Sequence, residues 1–273
     1  VTVFQKENDI IIEIDDFDIS HTLDCGQCFR FDKIGENEFF GIAKGKALRI
    51  SQNNNQITFF NTTLEDFNKI WVDYFDLLTD YNAIKEIINT DTFGKKSIEY
   101  CSGIRILKQN SWEALCSFII SQNNNIPRIK GIIKKLCENF GDKIEGGYAF
   151  PSPEVLSKKS VEDLSIIRAG FRAKYILDAC EKIVNKEIDL KKIYSLDIDS
   201  ARQELTKIYG VGAKVAECAL LFGFYRIEAF PIDVWIKRVL EKYYDGDFPE
   251  QLKPIGGIAQ QYLFHYIRNN KCD

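Results

Sequence analysis

The chain has 273 residues, 45% of them hydrophobic and 28% charged, with a formal net charge of −4. No apolar run approaches the roughly 18 residues of a membrane span, and Val1–Ile14 is polar and then alternating, unlike a signal peptide. A pI near 5.5 argues against a protein that coats nucleic acid through a general basic field, and eight scattered cysteines fit a reducing interior better than a disulfide scaffold.

Before residue 62, short alternating runs recur at Ile10–Ile14, Phe29–Ile34, Glu38–Ile42, Ala47–Ile50 and Gln56–Phe60. Gly, Asn and Asp punctuate them, as in an antiparallel sheet. After residue 62 the period turns helical. Thr63 caps a helix running to about Phe75, and Asp80 one through Ile88. Ser111 opens an apolar helix to Ser121, Pro127 starts another that Gly141 stops, and Ser160 with Asp163 forms a capping pair before Gly170. Further helices are expected near 172–187, 198–208, 213–223, 233–243 and 258–268. The expected class is α+β: an N-terminal antiparallel sheet domain with associated helices over 1–97, then a helical bundle over 98–273. Ser-Gln-Asn-Asn-Asn occurs at 51–55 and again at 121–125. The first copy falls between two strands, where Asn-rich turns are routine, and the second between two helices.

The sharpest feature is Leu205-Thr-Lys-Ile-Tyr-Gly-Val-Gly-Ala-Lys-Val-Ala-Glu-Cys218. One helix ends, Gly210-Val211-Gly212 turns tightly, and a new helix begins near Ala213. The free amides of that new helix make a phosphate site. Taken alone, the pattern is equally a plain helical hairpin. Lys214 lies in the first turn, where the macrodipole is positive and disfavours a cation. With partial burial, that position supplies the neutral amine a nucleophile requires. In Glu228-Ala-Phe-Pro-Ile-Asp-Val-Trp-Ile-Lys-Arg238, Asp233 stands at a helix start, where an N-cap is sufficient reason for an aspartate. An ionised carboxylate is also what glycosidic cleavage needs beside an electron-poor sugar carbon.

The hairpin, Lys214 and Phe-Pro-Ile-Asp233 together resemble the helix-hairpin-helix glycosylases with a Gly/Pro-rich loop and an aspartate, and the lysine marks their bifunctional branch. Gly26-Gln-Cys-Phe-Arg30, Ser121-Gln-Asn-Asn-Asn125 and Ala259-Gln-Gln-Tyr-Leu-Phe264 are similar to the eukaryotic-type 8-oxoguanine DNA glycosylases. The resemblance runs from about residue 10 to 268.

It implies a flipped damaged base held in a pocket. By match, the Gly26 carbonyl accepts from the ring N–H that oxidation creates, Gln260 reads the Watson–Crick edge, and Phe264 and Cys218 sandwich the base. Gln260 and Phe264 are i,i+4, as are Lys214 and Cys218. Asn123 matches the residue that fills the vacated stack, Phe171 the wedge, and Arg128 and Arg172 the arginines that hold the orphaned cytosine. Gly210 and Gly212 grip phosphate, and the carbonyls of Thr206, Ile208 and Val211 match a hairpin site for a structural monovalent or divalent cation.

Without the family match, Phe264 would read as core and both arginines as solvated helix faces. Departures are Phe171 and Tyr209 where the family has tyrosine and proline, Trp235 in place of a phosphate-binding histidine, and a short segment from Asp245 to Ile255. Only Cys272 lies beyond Cys218, which argues against an iron–sulfur cluster there, and the lone pair Cys25 and Cys28 is expected to be structural. The expected activity is excision of 8-oxoguanine from double-stranded DNA with strand nicking through a Lys214 Schiff base. The expected protein is a monomer, intracellular with its DNA and off the membrane, that needs no cofactor. The rivals are a glycosylase of other specificity, which would keep only Lys214 and Asp233, and a non-catalytic DNA-binding module, which would need neither.

Overall fold

The computed structural model describes residues 2–270. Six strands form one antiparallel sheet in the order β1-β2-β6-β5-β4-β3, with β1 at Thr2–Lys6, β2 at Asp9–Glu13, β3 at Phe31–Gly35, β4 at Glu38–Ala43, β5 at Lys46–Asn53 and β6 at Gln56–Phe60. Alternation sets the register. Phe39 pairs with Ile50, Ile50 with Phe59 and Phe59 with Ile10, so one buried row crosses the sheet. Phe67 and Phe75 cover that row, their rings 5.1 and 5.8 Å from Phe59.

The five expected strands are present. The sixth, β1, is exposed at every residue and so carries no inward apolar signal. Thr63 does cap its helix, but a π-turn at Phe67–Trp71 interrupts it. A helix at Thr92–Cys101, capped by Asp91, lacked an expectation because its sequence is polar and contains Gly94. The reciprocal Ser160–Asp163 bonds form as expected, but they open a 3-10 segment rather than an α-helix.

In the helical part, Ser111–Ser121 packs on Ala213–Phe224, with the Phe118 and Phe222 rings stacked at 5.2 Å. Gly223 permits the close approach, since a Cβ there would stand 2.9 Å from that of Ala114. The C-terminal helix Gly256–Asn269 packs through Gly257 against Leu221. Gln27, fully buried, couples the two parts: its amide nitrogen donates to the carbonyls of Thr22 and Arg105 at 2.9 and 2.8 Å, and its amide oxygen accepts from the Leu107 N–H. Among the described residues no helix is long and apolar enough to cross a membrane.

Candidate active site

The hairpin forms as its glycines require. Ile198–Thr206 ends, Gly210 takes φ +79°, and Ala213–Phe224 begins with Gly212 as its cap. Lys214 is the second residue of that helix. Its side chain is exposed rather than partly buried, with its ammonium 5.5 Å from the centre of the Phe118 ring. One turn on lies Cys218, 4% exposed. Burial pushes this thiol up, against the pull of the Lys214 ammonium hydrogen-bonded to it, and the Asp233 charge acts with burial. The Lys214 and Asp233 charges therefore both act on this one thiol, in opposite directions.

Asp233 is the N-cap of Val234–Tyr243, its Oδ1 accepting from Trp235 and Ile236 N–H at 2.9 Å each. A hollow of about 320 Å³ opens beside Lys214, lined also by Arg202, Glu217, Phe230 and Ile232. Glu217, unremarked in the sequence, is a 6% exposed charge that holds this ground together. One oxygen accepts from Arg202 Nε and the other from the Phe230 N–H at 2.6 Å. A lone carboxylate inside the apolar run AKVAECALLFGF is the signal that could have marked it, because a buried charge needs partners.

Gly26 has φ +89°, and a Cβ there would lie 3.6 Å from both Arg268 Nη1 and Ile126 Cδ1. Buried Gln27 next to it fixes the loop. Arg268 in turn lies 5.9 Å from the centre of the half-buried Phe264 ring, so one guanidinium borders both Gly26 and Phe264. Gln260 is buried, its amide oxygen accepting from Gln261 Nε2 at 2.8 Å. Cys25 and Cys28 are buried free thiols, Cys25 pushed up to about 11 and Cys28 further still by desolvation. Cys272 lies outside the described residues.

The second Ser-Gln-Asn-Asn-Asn forms the turn between two helices. Asn123 is exposed in a left-handed conformation, φ +46°, and Asn125 caps the next helix through the Arg128 N–H. Arg128 is exposed. Arg172 is not on a solvated face. It is 3% exposed, and its guanidinium donates to the carbonyls of Gln122, Asn123 (2.9 Å) and Ala169 (3.2 Å). Burial and the nearby Arg128 charge push it down. Phe171 is 49% exposed, with the Arg172 guanidinium 4.5 Å from its ring centre. Trp235 is half-buried under Arg238.

At the hairpin the Ile208 carbonyl accepts the Val211 N–H at 3.0 Å. A carbonyl has two lone pairs, so this bond leaves one on the Ile208 oxygen.

Residues 9–115 match the family model of the 8-oxoguanine DNA glycosylase N-terminal domain, and residues 116–251 that of the HhH-GPD superfamily base excision DNA repair protein. A crystal structure of the Clostridium acetobutylicum 8-oxoguanine glycosylase/lyase with double-stranded DNA containing cytosine opposite 8-oxoG is 36% identical, with a TM-score of 0.94 over 100% of this chain and 99% of that one. The N-glycosylase/DNA lyase of Saccharomyces cerevisiae is 37% identical over 52% of this chain and 42% of its own length. The probable N-glycosylase/DNA lyase of Methanothermobacter thermautotrophicus is 33% identical over 64% of this chain and 66% of its own. With its glycine hairpin and both halves matched, this chain belongs to the 8-oxoguanine DNA glycosylase/lyase family of HhH-GPD base excision repair proteins.

Proposed function

We propose that the chain is a bifunctional DNA glycosylase and β-lyase that excises 8-oxoguanine from duplex DNA. The observation that carries this reading is the Glu217 bond to the Phe230 N–H, which fastens the helix whose first turn holds Lys214 to the segment leading into Asp233, the N-cap of the next helix. Lys214 Nζ, as free amine, adds to C1′ of the sugar while the C1′–N9 bond breaks, and the bonding pair leaves with the base, which then takes a proton. Asp233 holds its charge beside the positive sugar that develops. Opening of the ring C1′–O4′ bond gives the Schiff base between Lys214 and the sugar. Loss of a C2′ proton then breaks the C3′–O bond, nicking the strand 3′ to the lesion.

The flipped base lies between Phe264 and Cys218, with Gln260 at its Watson–Crick edge. The Gly26 carbonyl accepts the N7–H of the oxidised ring, whereas guanine carries a lone pair there and is repelled. Asn123 fills the vacated stack and Phe171 wedges the partner strand. Arg172 directs four of its five N–H groups to backbone carbonyls, so the reading of the opposite cytosine falls chiefly on Arg128, with at most one Arg172 N–H left to join it. Gly210 and Gly212 bring amides to a phosphate. A cation held by Thr206, Ile208 and Val211 would supply structural charge only, and the reaction uses none. In this reading the enzyme works as a monomer, wherever its DNA is kept.

The test is single-turnover incubation with duplexes carrying 8-oxoguanine, guanine or an alkylated purine opposite cytosine. Release of 8-oxoguanine with a nick supports the reading. Release of the alkylated purine alone would assign another specificity, and release of nothing would leave a binding module.

A further inference from the structure

The helix Arg172–Val184 turns one face to the hairpin through Tyr175, Asp178 and Lys182, spaced i, i+3 and i+7. Gly210 lies on the Tyr175 ring, where an added Cβ would fall 2.4 Å from Cδ2, and the Tyr209 ring meets Tyr175 edge-on at 5.0 Å. Asp178 Oδ2 accepts the backbone N–H of Tyr209 at 2.7 Å. Lys182 Nζ donates to both Asp178 oxygens, at 3.1 and 2.9 Å, and to the Lys207 carbonyl at 2.7 Å. One ion pair thus satisfies a carbonyl and an amide on either side of Ile208. The side chains of Asp178 and Lys182 are only 26% and 23% exposed, so the geometry is held by packing.

Tyr209 stands where the resemblance places a proline, which has no N–H to satisfy. We infer that Asp178 and Lys182 are positioning residues for the hairpin's grip on DNA, with Asp178 accepting the Tyr209 amide that a proline would remove. This rests on the reading that the hairpin amides hold a phosphate. Asp178 then acts on affinity and not on the chemical step.

The test measures Kd for a duplex bearing a tetrahydrofuran abasic analogue, and the excision rate at saturating 8-oxoguanine duplex. Asp178→Ala should weaken binding about fivefold or more and leave the saturating rate within about twofold. Asp178→Asn keeps an acceptor for Tyr209 and should bind within about twofold of wild type. Tyr209→Pro in the Asp178→Ala background should restore most of the affinity, because the orphaned N–H is gone. Wild-type Kd in Asp178→Ala, or no recovery in the double variant, overturns the inference. If Asp178→Ala fails to fold, the double variant and Asp178→Asn decide alone. Gly210→Ala separates the two levels: it drives a Cβ into Tyr175 and should weaken binding. Unchanged affinity in Gly210→Ala refutes the hairpin grip itself, whereas weakened Gly210→Ala beside unchanged Asp178→Ala refutes only the positioning role.

Discussion

The Glu217 carboxylate accepts a 2.6 Å hydrogen bond from the Phe230 backbone N–H, which fastens the helix carrying Lys214 to the segment that reaches Asp233 three residues later. Its other oxygen takes Arg202 from the first hairpin helix. Three elements of the site meet on one side chain.

Glu217→Ala strands the Phe230 amide and leaves the Arg202 guanidinium to Asp199 alone, so it should cost about 2 kcal/mol of stability by urea unfolding. Because it loosens the register of Lys214 against Asp233, excision should also slow by about tenfold at saturating DNA. Glu217→Gln, which keeps one acceptor, should fall between. An unchanged excision rate in a destabilised Glu217→Ala would reduce the residue to a structural tie.

Asp233→Asn separates capping from chemistry. Asparagine caps a helix about as well as aspartate, so stability should hold within about 0.5 kcal/mol. Excision should fall by about a hundredfold or more, because the charge opposite the developing sugar cation is lost. Thermal melts and single-turnover rates on the same preparation check both halves, and a rate within a few-fold of wild type would leave Asp233 as a cap alone.

Arg128 and Arg172 should respond differently. Arg128→Ala should flatten the preference for cytosine opposite the lesion while leaving excision opposite cytosine within about tenfold, the cost of one exposed charged contact. Arg172→Ala withdraws support from the Gln122 and Asn123 carbonyls and should lower excision opposite all four bases alike, with a loss of about 2 kcal/mol in stability. Phe171→Tyr adds a hydroxyl at the wedge and should sharpen the cytosine preference. Excision rates against the four partner bases measure all three. A selective loss opposite cytosine in Arg172→Ala would return that residue to base reading.

Burial, with the charges of His21 and Arg268 and against that of Asp18, pushes His265 down to about 4. Its Nδ1 has no partner, and the His21 and Tyr100 rings stand 5.3 and 5.8 Å away. The unfolded chain takes this proton near pH 6.5 and the folded chain only near pH 4. Stability is therefore whole above about pH 6.5 and falls as pH drops toward 4. His265→Gln should flatten that part of the acid limb in urea unfolding between pH 7 and 4, and an unaltered slope would assign the acid loss to other groups.

What could be read in the sequence was local. The Asp233 cap, the glycines of the hairpin and the alternation behind β2 to β6 each depend on residues within a few positions of one another. What escaped it joins distant positions. Gln27 reaches Arg105 and Leu107, Arg172 reaches Gln122, and Asp178 reaches Tyr209, and no spacing rule pairs residues that far apart. Arg172 shows the cost: a basic residue at a helix start looks solvated until the neighbouring loop folds over it. Lys214, expected to be partly buried, is exposed because its helix begins at the rim of the hairpin.

The central claim is that Lys214 forms the bond to the sugar. Borohydride trapping on an 8-oxoguanine duplex, followed by proteolysis and mass mapping of the adduct, tests it most directly. The account predicts one covalent adduct, on the peptide containing Lys214, and none in Lys214→Gln, which should still bind the duplex but release no base. An adduct on any other residue in the wild-type protein, or substantial base release by Lys214→Gln, would contradict it.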